Sequence, residues 1–351
     1  MTNILVEHVS PDELLVASAE DDGRSIYFYI SGAKNRDFGM RSCWVRNLEP
    51  APATLDMEGM KRGVAPMLPA RYCKHSQAAP RPVTSQLRVV WFEDCVSAAL
   101  LEGDEVLAII PTWSGERGFS GYARDCAEEN PLCWPLLPSN RLLERVRAAE
   151  AYWRSWENDP WSGFRDAGVT LVERQLGRVS NYYAIDGGAW PPRALLKVPT
   201  GKATALLTLG MGLRCQPRVD GESEDASQPR RIEFGLAVDE ATFASAGERL
   251  MRYLSGQSTY PWYFGTYLGE GHTLPCDALP GFEAMLLCGA PAGAPRMEVL
   301  HAWGEPVRRL WMMPITEAER ELAMAQGSQV LIERLTAAGA GWCHQQRRPV
   351  D

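Results

Sequence analysis

The run Ala203-Thr204-Ala205-Leu206-Leu207-Thr208-Leu209-Gly210-Met211 limits the possible folds more than any other stretch of this chain. It is apolar at nearly every position yet far too short to span a membrane, so it predicts a buried strand. The sequence around it supplies partners. Arg231–Val238 alternates polar and apolar residues, which predicts a strand with one buried face. A helix is expected from about Asp239 to Ser255, with Phe243, Leu250, Met251 and Leu254 inward and Gly256 just past its end. Val169–Leu176, Asn181–Ile185, Phe282–Cys288 and Val307–Pro314 read as further strands, the second closed by the turn Asp186-Gly187-Gly188. Thr316 and Glu319 form a Thr-x-x-Glu capping box; Gln326-Gly327-Ser328 breaks that helical region, and a second helix ends at Gly339. Strands and helices in this order predict an α+β domain, a mixed sheet with flanking helices.

The first part of the chain has a different texture. Ser25–Ser31, Leu87–Phe92 and Glu105–Pro111 are short β-branched or aromatic runs, and the Glu102-Gly103-Asp104 turn between the last two predicts a meander. Ala51–Pro82 is rich in proline, which interrupts helices and central strands alike, so an irregular surface segment or lid is expected. Ser139 is placed to cap a helix whose Leu142, Leu143, Val146, Ala149, Tyr152, Trp153 and Trp156 share one face, and Asp159-Pro160 stops it. Taking that helix as the opening of a second domain gives two domains for the 351 residues, 1–138 and 139–351.

Composition narrows the function. The net charge of −8 disfavours a nucleic-acid binder that works by neutralising phosphates and is compatible with a basic protein partner. No apolar stretch reaches membrane-span length, and the first residues lack the pattern of a secretory signal. Nine scattered cysteines with no Cys-x-x-Cys pair read as reduced thiols, which with the preceding points predicts a cytoplasmic protein.

Motifs for chemistry are incomplete. Gly118-Phe119-Ser120-Gly121-Tyr122 lacks the final glycine of a nucleophile elbow and reads better as a glycine-rich loop. Cys73-Lys74-His75 and Cys343-His344 lack zinc-ligand spacing. Gly210-Met211-Gly212 is only part of a dinucleotide fingerprint, and His272 reads as a turn histidine held by backbone hydrogen bonds. No catalytic residue, metal or cofactor is expected. Two features suit protein binding. The segment Tyr260-Pro261-Trp262-Tyr263-Phe264-Gly265-Thr266-Tyr267 is dense in interface-forming aromatics, with Trp262 and Tyr263 the candidate contacts, although at least half of its rings are expected to fill the core under the Phe243–Leu254 helix. Asp220, Glu222, Glu224 and Asp225 lie in an acidic stretch between two strands, readable as a solvated hairpin tip or as a steering patch for a cationic partner.

The order of elements over roughly residues 145–340 resembles the Suppressor of fused (SUFU) family. The resemblance is carried by Leu206–Met211, by Arg231–Leu236 ahead of a helix, by the Gly271-His272-Thr273-Leu274 turn, by Met313–Leu322, and by Gly327 with Leu331–Leu335. It implies a non-catalytic binding module: animal members restrain a transcription factor, and bacterial members often serve as immunity proteins beside polymorphic toxins. Here the SUFU-like part follows an unrelated β-rich domain, whereas in the animal proteins it comes first, so no binding residue is carried over. The expectation is an immunity protein that binds and neutralises a toxin. The alternatives are an enzyme with its site near Trp113-Ser114-Gly115 and Tyr122-Ala123-Arg124-Asp125-Cys126, or a scaffold that captures a peptide by strand addition.

Overall fold

The computed structural model describes residues 2–201, 203–222, 226–345 and 347–350, and for Glu222 the backbone alone. The chain forms two compact units, Met1–Asn158 with Trp262–Gly265, and Asp159–Pro261 with Thr266–Asp351. The architecture is α+β, as expected.

In the first unit, β1 (Asn3–Val9), β2 (Leu15–Asp21), β3 (Ser25–Gly32) and β4 (Met40–Asn47) form an antiparallel meander. A second sheet runs β5 (Leu87–Trp91), β6 (Ala98–Glu102), β7 (Glu105–Ile110), β8 (Tyr122–Ala123) and β9 (Trp134–Pro135). The period-2 alternation of the central strands divides their side chains between two cores. Leu100, Ala108 and Ile110 pack with Ala17, Phe28, Ile30 and Trp44 of the first sheet. Ala99, Leu101 and Ile109 turn the other way and pack with Leu142, Val146 and Ala149 of a helix. Between the sheets in sequence lies the proline-rich stretch, irregular apart from α1 (Met57–Lys61) and short 3-10 turns.

That helix, α2 (Arg141–Ser155), starts one residue later than expected: Asn140, not Ser139, is the cap, its side chain accepting from the Leu142 N–H at 2.9 Å. Its apolar face covers the second sheet of the first unit, which runs through Asn158. Next comes α3 (Pro160–Leu176), which corrects the strand expected at Val169–Leu176. Asp159 caps it through Ser162, and Pro160 occupies its first turn, where the missing N–H costs nothing. The Asp-Pro pair read as a helix stop is therefore also a helix start.

Among the described residues the second unit holds a nine-stranded sheet. Its main path is β10 (Asn181–Ala184), β11 (Ala194–Pro199), β12 (Ala203–Leu209), β13 (Arg231–Asp239), β17 (Glu305–Ile315), β15 (Phe282–Cys288) and β14 (Thr273–Leu279). The strand β16 (Leu300–Ala302) pairs with β17, and β18 (Cys343–His344) pairs with β13. The β13–β17 and β13–β18 pairs are parallel and the other pairs antiparallel. Every residue of β12 is buried, as its composition predicts, but β13 departs from the half-exposed strand expected of it, because Arg231 and Glu233 are buried too.

Short α4 (Val219–Glu222) follows β12, and α5 (Glu240–Gln257) follows β13 with Asp239 as its cap. In α5, Leu250 and Leu254 are buried as expected, while Phe243 and Met251 are half-buried and Lys197 lies 4.6 Å over the Phe243 ring. The aromatic segment forms α6 (Tyr260–Phe264), and its Trp262–Gly265 belongs to the first unit rather than to a core beneath α5. The expected capping box opens α7 (Glu317–Gln326), Gly327 at φ 94° separates it from α8 (Ser328–Ala337), and Gly339 follows. Leu331 and Leu335 of α8 and Ala323 of α7 bury against Leu286, Met313 and Ile315. Among the described residues no helix is long and apolar enough to cross a membrane.

His344 is buried edge-on against Phe282 at 4.7 Å. Burial first, then the nearby Arg347 charge, lowers its pKa to about 4, against smaller upward pulls from Asp239 and Glu319. The unfolded chain therefore binds a proton here that the folded chain does not between pH 6.5 and about 4. Stability contributed by the neutral ring is complete above that window and falls as pH drops through it, by at most about 3 kcal/mol. Urea unfolding at pH 7 and pH 4.5 is expected to show this loss in the native chain and a smaller one in His344→Gln.

Candidate functional site

Asp220, in α4, is not a free steering charge. Its carboxylate pairs with Arg230 at 2.6 Å, and Arg230 also bonds Glu305. Glu305 in turn accepts from the Arg231 Nε at 2.8 Å. The Arg231 guanidinium donates to the carbonyls of Gly212 and Leu213 at 3.2 and 3.1 Å and lies 4.9 Å from the centre of the Trp303 ring. The sequence suggested four similar surface acids; instead, the structure ties Asp220 into a network rooted in β13. The Glu222 backbone ends α4, and Glu224 and Asp225 lie outside the described residues.

Of the two candidate aromatic contacts, Trp262 is 3% exposed and fills the interior. Tyr263 is half-buried, donates its hydroxyl to Asp37 at 3.3 Å, and accepts on its carbonyl from Asn35 Nδ2 at 2.6 Å. The ring left at the surface is Phe264, 61% exposed and 5.1 Å from Tyr263. Sequence alone does not separate these three rings, because the segment is a single helical turn in which each residue points a different way.

A second surface is the edge strand β10. All four of its residues are exposed, Tyr182 at 44% and Tyr183 at 38%, and among the described residues no strand pairs with its outer edge. The pairing with β11 sets which groups face outward. Ile185 N–H donates to the Arg193 carbonyl at 2.9 Å, and Tyr183 sits in the same phase of the ladder opposite Leu195. Alternation in an antiparallel pair then directs the N–H and C=O of Tyr182 and Ala184 away from β11. Beside the strand, Tyr182 joins Arg165, Asp166, Val169 and Thr170 of α3 around an open groove of about 460 Å3. Partial burial raises the Tyr182 phenol pKa despite the opposing pull of Arg165. The strand was legible in the sequence; the groove was not, because its other wall is the helix read as a strand.

A third feature, absent from the sequence reading, is the buried polar centre of the sheet. Glu233 Oε1 accepts from the N–H groups of Gly210 and Gly212 at 2.7 and 3.0 Å, and Oε2 accepts from Thr208 Oγ1 at 2.7 Å. Burial pushes its pKa up, opposed by the Arg309 charge and these hydrogen bonds. Arg309 is its register partner on β17 and donates to the Phe234 carbonyl at 2.9 Å. The sequence carried no local signal for it, because Arg231 and Glu233 alternate with apolar residues as a solvated face would.

The residues considered for catalysis are placed as follows. Ser114 is buried, with its hydroxyl donating to the Ser120 carbonyl. Cys126 is fully buried beside Cys133 and accepts from Asn130 Nδ2 at 3.4 Å; contact with Cys133 lowers its pKa while burial opposes. His272 sits in a turn, its Nδ1 accepting from Gly269 N–H at 3.4 Å and its backbone N–H donating to the Gly269 carbonyl at 3.2 Å.

Residues 190–349 match the family model of Suppressor of fused protein (SUFU). The matched stretch takes in β11 to β18 and leaves β10 and α3 outside it. Among solved structures, one described as "the Sufu-Fu complex crystal structure" is similar at 14% identity with a TM-score of 0.35, over 48% of this chain and 82% of that chain. No curated protein matches the chain.

Removing the Glu233 carboxylate leaves three buried donors without an acceptor. Glu233→Ala is expected to cost about 3 kcal/mol or more in urea unfolding, against about 2 kcal/mol for Thr208→Val, which loses the hydroxyl's donation to Glu233 and its acceptance from the Phe234 N–H. Equal losses in the two variants would show that the carboxylate does not organise the sheet.

Proposed function

We propose that this chain is a non-catalytic protein-binding module that captures an extended segment of its partner on the outer edge of β10, and that the partner is a toxin it neutralises. The observation that carries the binding mode is the exposed edge of β10, unpaired among the described residues, with Tyr182 beside the α3 groove. An added strand would receive main-chain hydrogen bonds from Tyr182 and Ala184, and the groove would take one of its side chains. Exposed open edges are a hazard that proteins usually blunt with charge, proline or bulges, and β10 carries none of these. The SUFU domain supports a role in protein interaction, and the toxin as partner rests on the bacterial side of that resemblance.

The test begins with the product of the reading frame beside this gene, co-expressed and measured for binding and for loss of its toxic activity. Ala184→Pro removes an outward N–H without touching the β10–β11 ladder. It is expected to weaken binding by roughly tenfold or more at nearly unchanged melting temperature, and Tyr182→Ala by roughly five- to thirtyfold. Full affinity in both variants would move the interface elsewhere.

The acidic stretch keeps a separate proposed role in encounter. Asp220 is already paired, so steering would fall to Glu222, Glu224 and Asp225. Changing these three to Gln, Gln and Asn is expected to lower the association rate and flatten its salt dependence while the dissociation rate stays the same. Surface plasmon resonance at several salt concentrations reads this directly.

A further inference from the structure

The second unit contains a cavity of about 590 Å3 above β13 and β17, within the range of small-molecule sites. Its wall is largely apolar, with Leu171 of α3, Ile232, Val307, Leu310, Trp311 and Met297. The segment between β15 and β16 covers it and is pinned to α3: Glu298 N–H donates to Gln175 Oε1 at 3.1 Å, and the Glu298 carboxylate pairs with Arg174. Two prolines, Pro291 and Pro295, stiffen that segment.

Two charged groups reach the cavity from the sheet, and they are not equally satisfied. Glu233 has both oxygens engaged by Thr208, Gly210 and Gly212. Arg309 makes one hydrogen bond, to the Phe234 carbonyl, and no ion pair among the described residues. Its pKa is lowered by burial, with Glu233 opposing through space. The other charges at the cavity are exposed: Glu298 is paired with Arg174, Arg308 bonds Gln228 at 2.7 Å, and Glu270 and Arg296 are screened by solvent. A guanidinium with unused donors at an apolar cavity is the arrangement that binds a carboxylate through a two-point, charge-assisted contact.

We propose that this cavity is a binding site for an amphiphilic monoanion, a carboxylate with an apolar body, whose head meets Arg309 and whose tail lies against Leu171, Val307 and Trp311. This goes beyond the protein-binding reading and does not depend on it. The class follows from the geometry: a cation would meet the like charge of Arg309 and a carboxylate that already accepts three hydrogen bonds, and a ligand without an acceptor would leave the Arg309 donors unmatched.

Isothermal titration of the full chain with decanoate and with 1-decanol at pH 7 tests the site. Decanoate is expected to bind about tenfold tighter than the alcohol, because only it can form the charge-assisted pair. Arg309→Met should abolish that preference. Leu171→Trp, which fills the cavity from α3 and leaves the sheet untouched, should abolish decanoate binding and keeps the test valid if the Arg309 variant does not fold. Equal binding of acid and alcohol, no binding of either, or an undiminished preference for decanoate in a folded Arg309→Met would each overturn the proposal, as would unchanged decanoate binding in Leu171→Trp.

Discussion

The hydrogen bonds that converge on Glu233 shape the second unit around them. Two of the three donors are the backbone N–H groups of Gly210 and Gly212, just after β12. They hold the chain in a tight 3-10 turn as it leaves the strand. Gly210 adopts φ 112° there, and a Cβ would lie 2.3 Å from the Pro192 carbonyl oxygen, so only glycine fits. The same turn aims the carbonyls of Gly212 and Leu213 at Arg231, which holds Glu305, which holds Arg230 and through it Asp220. One network thus runs from the centre of the sheet to the acidic corner. A buried network of this kind contributes by being fully satisfied, since removing one member strands the others.

Parts of this were legible in the sequence because a single physical signal sufficed. Ala203–Leu209 is apolar on both faces and can only be a central strand. Thr316 and Glu319 satisfy each other's end of a helix locally, with the Thr316 N–H to Glu319 Oε2 distance at 2.9 Å. Where the signal was ambiguous, tertiary context decided. Val169-Thr170-Leu171-Val172 has strand-like residues, yet the Asp159 cap and the packing of Gly168 on Leu209 make it a helix. The amphipathic face of α2 could be read, but not which sheet it covers. Arg231 and Glu233 alternate with apolar residues as an exposed face would, and nothing local distinguishes a solvated pair from one buried against Glu305 and Thr208. The surroundings of the candidate contacts were not legible, since the burial of Trp262 and the pairing of Asp220 depend on residues apart in sequence or on the turn of one short helix.

The helix α3 gives the second unit its distinctive surface. Lying outside the SUFU match, it lines the β10 groove with Arg165, Asp166, Val169 and Thr170, and the internal cavity with Gly168 and Leu171. The 3.6-residue period places these two sets on different sides of one rod. Just ahead of the matched stretch, therefore, lie an exposed strand edge and the helix that borders it.

The most direct test of the binding account is amide hydrogen exchange of the chain alone and with its partner bound. An added strand satisfies the outward backbone groups of β10, so the Tyr182 and Ala184 amides should exchange much more slowly in the complex, while the Tyr183 amide, already bonded to β11, changes less. Unchanged exchange across residues 181–185, with new protection elsewhere in the chain, would contradict it.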